Sequence, residues 1–191
     1  MHQFITYLTL GYDHISDLKG FDHILFILTL CAAYGTRDWR RIAILVTAFT
    51  IGHSITLALS ALSLILPNPY WVELLIPITI FITSIWNVYA GPMSKEKGIG
   101  YHYAMALVFG LVHGLGFSNF FNALMGDSGS ILLPLFGFNL GLEIGQFLIV
   151  LLFFSVQFVL YHLIKFEQKS WTLFFSGAGA GVSFILILER I

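Results

Sequence analysis

Charged residues are scarce in this sequence of 191 residues: they make up 10% of the chain, whereas a soluble globular domain contains about 25%. This scarcity excludes an ordinary water-soluble protein, because 58% of the residues are hydrophobic and so much apolar surface must be hidden from water. It also excludes a disordered chain, which would be polar and rich in charge. The composition therefore indicates an integral membrane protein whose surroundings are a lipid bilayer.

Two further absences narrow the functional class. Nine Lys and Arg side chains stand against ten Asp and Glu side chains, so no excess of positive charge remains for phosphates and we expect no nucleic-acid partner. Cys31 is the single cysteine, which excludes an intrachain disulfide framework and a cysteine-rich zinc site.

Charged and polar residues divide the chain into six apolar stretches, each of which we interpret as a membrane helix. A spanning helix needs about 20 mostly apolar residues. The predicted helices cover residues 21–34, 42–66, 70–90, 101–125, 131–164 and 171–188. Because the connecting loops are short, the sequence predicts one transmembrane domain over residues 1–191, an all-α bundle of six helices.

Basic residues are concentrated in alternate loops of this predicted bundle. Seven of the nine fall in the first, third and fifth loops: Arg37, Arg40, Arg41, Lys95, Lys97, Lys165 and Lys169. Loops rich in Lys and Arg stay in the cytoplasm. The sequence therefore predicts that both the N-terminus and the C-terminus lie outside.

Ionisable side chains within the apolar stretches are the strongest functional signal, since each costs at least a few kcal/mol in the membrane. They are Asp22, His23, His53, His113 and Glu143. At about 1.5 Å per helical residue, His53 and His113 lie roughly 18 Å from the inner surface and Glu143 roughly 16 Å from the outer one. In a core about 30 Å thick these three share one level, with Asp22 and His23 slightly nearer the outside. The pattern predicts a metal site whose ligands come from four helices.

Neighbouring polar residues are predicted to support this site, by hydrogen bonds to its ligands or by receiving the ion at the entrance. These residues are His14, Asp17, Thr50, Asn139 and Gln146. Asn139, Glu143 and Gln146 share one helix face. The opposite face carries glycines at 137, 141 and 145, a spacing that allows another helix to approach closely.

Imidazole and carboxylate ligands without thiolate suit nickel, cobalt, zinc or iron as the bound divalent ion, and coordination geometry selects among these metals.

Four segments of the chain resemble the signature segments of the HupE/UreJ family. They are Gly20–Phe26, Thr47–Thr56, Phe109–Phe117 and Phe138–Gln146. The resemblance implies a small bacterial inner-membrane protein associated with hydrogenase and urease systems, with nickel or cobalt permeation as its activity. It also implies that Asp22 and His23 are ligands, whereas His14, eight residues before Asp22, departs from the spacing of the family motif.

Two functions remain open at this point. In a divalent metal permease, Asp22 and His23 would be entrance ligands and His53, His113 and Glu143 the midplane site. In an intramembrane metal-dependent hydrolase, a metal-bound water would attack a lipid or a membrane peptide, with Glu143 or Asp22 as general base. The resemblance favours the permease, while the lack of carboxylates below the midplane favours the hydrolase. The sequence is compatible with a homo-oligomer in either case.

Overall fold

The protein is all-helical in the parts of the chain described by the computed structural model, which are residues 2–18, 20–93, 100–125 and 130–191. These described parts contain seven α-helices: α1 His2–Ser16, α2 Asp22–Ala32, α3 Trp39–Ala61, α4 Pro69–Ala90, α5 Gly100–Met125, α6 Leu132–Ile164 and α7 Gln168–Leu188. A short 3-10 turn over Thr36–Asp38 leads into α3.

Within the described ranges, five helices, α3 to α7, are long and apolar enough to cross a membrane, whereas α2 is a shorter apolar helix of 11 residues. The sequence predicted six helices and missed α1. This helix of 15 residues contains too many polar side chains to register as an apolar stretch. Lys19, Lys95 and Lys97 lie outside the described residues, and the orientation of the termini stays a prediction.

Glycines set the closest helix contacts in the bundle. A Cβ atom on Gly141 of α6 would lie 1.9 Å from the Leu8 carbonyl oxygen, and one on Gly11 of α1 would lie 1.9 Å from the Phe138 carbonyl oxygen. The glycine face of α6 therefore packs directly against the backbone of α1. Such close approach through small residues is typical of membrane helices.

Helices α3 and α5 form a second close pair. A Cβ atom on Gly110 would lie 2.1 Å from the Phe49 carbonyl oxygen, and one on Gly114 would lie 2.5 Å from the carbonyl oxygen of His53. Residue numbers increase together along the contact, so the two helices run in parallel. The packing therefore places His53 at the same height as His113, which directly precedes Gly114.

Helices α1 and α2 follow one another along α6 and are separated by a break between Ser16 and Asp22. The end of α1 contacts α6 where Ile15 meets Gly145. An apolar groove on the next turns of α6 is lined by Ile24 and Leu28 together with α6 residues 148 to 156. In the bilayer, irregular backbone is tolerated where protein buries it or where it lines a cavity.

The second half of α2 packs on α4 and α7 through small polar residues. The Asn87 side chain donates a hydrogen bond to the Thr29 carbonyl oxygen over 2.7 Å. A Cβ atom on Gly179 would lie 2.5 Å from Thr29 Oγ1 and 2.8 Å from Ser84 Oγ. We call this contact of Thr29, Ser84, Asn87 and Gly179 the polar seam, and it is closely packed.

Candidate metal centre

Four histidine side chains from four helices converge at the break between α1 and α2. The ring centroid of His23 lies 4.6 Å from that of His14 and 4.9 Å from that of His113. The His53 ring lies 5.9 Å from His14 and 6.2 Å from His23. One nitrogen from each of His14, His23 and His53 falls within 4.8 Å of the other two. We call these four residues the histidine cluster.

Five nitrogens of the histidine cluster are buried and have no hydrogen-bond partner in the described part of the chain. They are His14 Nε2, His23 Nε2, His53 Nδ1, His53 Nε2 and His113 Nε2. A buried polar group without a partner costs about 1–3 kcal/mol, so a cluster of five is expensive unless a ligand binds it. Imidazole nitrogens suit a divalent transition metal, and the residues present therefore fit such an ion.

Hydrogen bonds to the opposite ring nitrogens orient two of the four imidazoles. His23 Nδ1 lies 2.9 Å from Asp22 Oδ1, and His113 Nδ1 lies 2.8 Å from the Phe109 carbonyl oxygen. Because both acceptors are oxygens without a proton to donate, each Nδ1 carries the hydrogen and each Nε2 presents a lone pair. A second ring nitrogen bonded to a carboxylate or carbonyl is the usual support of a metal-ligating histidine.

An aromatic shell surrounds the histidine cluster. The Phe117 ring lies 4.0 Å from His14 and 4.9 Å from Phe138, and Phe49 lies 5.2 Å from His113. These rings leave the imidazoles few polar neighbours. An apolar shell of this kind limits the access of water to a metal site.

A cavity of about 210 Å³ opens beside the histidine cluster. Its described lining comprises His14, Asp17, Gly20, Asp22, His23, Glu73, Ile76, His113, Gly116, Phe117 and Arg190. Glu73 lies near the start of α4 and Arg190 beyond the end of α7, which is the predicted outer side of the bundle. We call this space the vestibule.

The family model described as HupE / UreJ protein matches residues 1–188 of the chain. The chain belongs to the HupE/UreJ family. This confirms the resemblance found in the signature segments. No curated protein and no solved structure matches the chain.

Glu143 of this HupE/UreJ protein is hydrogen-bonded to α3 six residues before His53. Its Oε1 accepts a hydrogen bond of 2.7 Å from Thr47 Oγ1, and one turn further Thr50 Oγ1 donates to Gln146 Oε1 over 2.8 Å. The polar face of α6 thus pairs with hydroxyl groups of α3. The structure does not bring Glu143 into the three-residue group of His14, His23 and His53, so its assignment as a ligand stays a prediction.

The other predicted supporting residues lie in different places: some line the vestibule, and others belong to the polar contact between α3 and α6. His14 and Asp17 line the vestibule, and His14 also supplies one nitrogen of the three-residue group. Thr50 and Gln146 pair with each other, and Asn139 Oδ1 is a buried oxygen without a partner among the described residues. His14 is thus placed as a potential ligand, a role that the sequence analysis did not give it.

Helical periodicity could have indicated that His14 faces the bundle, although the low apolar content of α1 gives no such indication. Tyr7, Gly11 and Ile15 are the buried residues of α1. His14 lies seven residues after Tyr7 and three after Gly11, hence on the same face of the helix. A search for short helices with one buried face would have placed its imidazole towards the bundle.

Replacing Asp22 by asparagine should weaken metal binding by about 10- to 100-fold, the usual cost of losing an outer hydrogen-bond partner of a ligand. The amide oxygen can still accept from His23 Nδ1, but it lacks the negative charge that raises the basicity of the ring. Equilibrium titration of the purified protein with Co²⁺ measures the change.

Asp13→Asn is the matched control, because exposed Asp13 precedes His14 just as Asp22 precedes His23. We expect that variant to bind Co²⁺ as the unsubstituted protein does. Equal affinities for Asp22→Asn and the unsubstituted protein would mean that the carboxylate does not support His23.

Proposed function

We propose that this HupE/UreJ protein binds a divalent transition-metal cation at the histidine cluster and conducts it across the bacterial inner membrane. The observation that carries the proposal is the convergence of buried imidazole nitrogens that have no partner among the described residues, contributed by α1, α2, α3 and α5. Family membership supports a membrane protein of nickel or cobalt handling, and the five apolar helices agree with it.

The chemistry of the donor set supports a transition metal such as nickel or cobalt as cargo. Imidazoles suit nickel, cobalt, zinc and copper, whereas magnesium and calcium prefer oxygen ligands. His23 and His113 have lone pairs whose direction is set by hydrogen bonds at the opposite nitrogen. The cluster should therefore select a transition metal against the more abundant magnesium and calcium ions.

Conduction requires a route on each side of the site, and the two sides differ. The vestibule leads from the histidine cluster towards Glu73 and Arg190. On the other side, the polar seam between α2, α4 and α7 is closely packed. Because both the cluster and the break between α1 and α2 adjoin the vestibule, we infer that the described state receives the ion from the predicted outer side.

The break supports transport in a second way. Discontinuous helices that meet at a site within the bilayer are a recurrent feature of transporters, whose parts move around the site. His14 is near the end of α1 and His23 at the start of α2, so the two imidazoles lie on either side of the break. A hinge there would separate these two ligands and release the ion.

The hydrolase alternative finds no support in the arrangement of its two candidate bases. Asp22 Oδ1 is engaged by both the ring and the backbone nitrogen of His23. Glu143 Oε1 is engaged by Thr47. No observation on the described residues favours a hydrolytic role for either carboxylate.

Uptake by proteoliposomes tests the proposal. We expect vesicles containing the protein to accumulate Ni²⁺ or Co²⁺, detected with an enclosed chelating dye, and His113→Ala to lower the initial rate at least about tenfold because one ligand nitrogen is lost. Mg²⁺ and Ca²⁺ should not enter.

His162→Ala is the control for that substitution. Its Nδ1 lies 2.8 Å from the carbonyl oxygen four residues earlier, as in His113, but the residue is exposed at the far end of α6. We expect full uptake by this variant. Uptake that is equal in all three proteins, or absent from the unsubstituted one, would contradict permeation through the cluster.

A further inference from the structure

The vestibule carries charges of both signs. Three carboxylate residues line it, namely Asp17, Asp22 and Glu73, and among its described lining residues Arg190 carries a permanent positive charge. Carboxylates at the mouth of a site attract a divalent cation. A guanidinium at the same mouth repels that cation, because Arg is always charged. The two effects act on the same ion.

Arg190 is held in this position by a contact between two helices. Its Nη1 donates a hydrogen bond to the backbone carbonyl oxygen of Glu73, which joins the end of α7 to the first turns of α4. The side chain is half-buried, so water screens its charge only partly. The guanidinium of Arg190 therefore reaches the vestibule, although the backbone of this residue lies beyond the end of α7 at Leu188.

We propose that Arg190 is a tethered cation that controls metal access to the histidine cluster. The proposal rests on the proposed function, since it concerns entrance to the same site. Arg190 occupies the vestibule when no metal approaches, and a divalent cation displaces it by competing for the field of the carboxylates. The hydrogen bond to the Glu73 carbonyl oxygen breaks and the guanidinium turns towards solvent as the ion passes. Arg190 lowers the association rate and does not coordinate the ion.

Electrostatics predicts the size and the salt dependence of this effect. Charges lining a cleft change association rates of charged ligands by about 10- to 1000-fold in total, so one charge should account for a change near the lower end of that range. The effect should shrink as ionic strength rises, because at 0.1 M salt largely screens the interaction of exposed charges that lie more than about 10 Å apart.

Stopped-flow mixing of the full chain with Co²⁺, followed through the visible absorption of the bound ion, tests the proposal. We expect Arg190→Gln to raise the association rate constant about tenfold at low ionic strength, and the gain to fall at high salt. Arg190→Lys keeps the charge and should stay within about twofold of the unsubstituted protein. A purely structural hydrogen bond would instead make the Lys and Gln variants alike.

Lys169→Gln is the matched control, because Lys169 is exposed at the opposite end of α7 and its removal changes the net charge equally. Its association rate should not change. Equal association rates for Arg190→Gln and the unsubstituted protein, or an equal rise in Lys169→Gln, would overturn the role of Arg190. The proposed function would stand in either case, provided that the unsubstituted protein binds Co²⁺. Absence of the absorption band from the unsubstituted protein would overturn the metal site, and this inference with it.

Discussion

Replacing His53 by leucine is expected to stabilise the metal-free protein and to destabilise the metal-loaded one. His53 is fully buried, with 0% of its surface exposed, and neither ring nitrogen has a partner among the described residues. Removing an unsatisfied buried polar group should gain about 1–3 kcal/mol, which corresponds to a few degrees of Tm in a chain of this size.

In the presence of metal, the same substitution should lower the stability of the protein, because a metal ligand is lost. A cation that binds the folded protein stabilises it in proportion to the logarithm of its concentration over Kd. His53→Leu should raise Kd by about 100-fold or more, beyond the cost of losing an outer hydrogen-bond partner. The added stability from Ni²⁺ or Co²⁺ should therefore largely disappear.

Thermal unfolding in a chelator and in excess Co²⁺, followed by tryptophan fluorescence, measures both effects on one sample. His162→Leu removes an exposed imidazole and should leave both transitions unchanged. A lower Tm of His53→Leu in chelator would mean that the imidazole contributes to the fold. If excess Co²⁺ also failed to raise the Tm of the unsubstituted protein, the histidine cluster would be a packing feature and not a binding site.

The long helices follow from composition, whereas α1 does not. Stretches such as residues 70–90 and 131–164 are mostly apolar, and helices α4 and α6 cover them to within one residue. Helix α1 is held to the bundle by glycine contacts with α6. Such contacts depend on the partner surface, which a count of apolar residues along one segment does not include.

For the candidate site as well, the sequence predicts the depth of the side chains in the membrane but not the direction in which they point. Counting residues at about 1.5 Å each placed His53, His113 and Glu143 at one height, but height does not say which helix a side chain faces. The parallel contact of α3 and α5 sets His53 and His113 at one height, and both rings lie beside His23, at 6.2 and 4.9 Å between centroids. The contact of α6 with α3 turns Glu143 towards Thr47.

Replacing Gly110 by alanine should disrupt both the fold and the metal site, because the α3–α5 contact carries two of the four imidazoles. The new Cβ atom would lie 2.1 Å from the Phe49 carbonyl oxygen. Backbone atoms cannot rotate away, so the two helices must separate. Overpacking of this kind costs about 1–3 kcal/mol, or more where the backbone must move.

The same separation should move His53 relative to His113 and weaken Co²⁺ binding. Gly181→Ala is the matched control, because its Cβ would meet nothing within 4 Å and alanine favours a helix by about 1 kcal/mol over glycine. We expect that control to bind Co²⁺ normally and to be at least as stable as the unsubstituted protein. Unfolding in chelator and Co²⁺ titration give the two readouts separately.

A Gly110→Ala variant with lower stability but normal Co²⁺ affinity would show that the site tolerates a shift of α5 against α3. The ligands would then come chiefly from the break, where His14 and His23 approach most closely at 4.6 Å between ring centroids. Loss of both properties would instead tie metal binding to the helix pair. The variant therefore distinguishes a site whose ligands lie at the break between α1 and α2 from a site whose ligands lie on the rigid α3–α5 pair. Transport by movement at the break requires ligands at the break and on the α3–α5 pair.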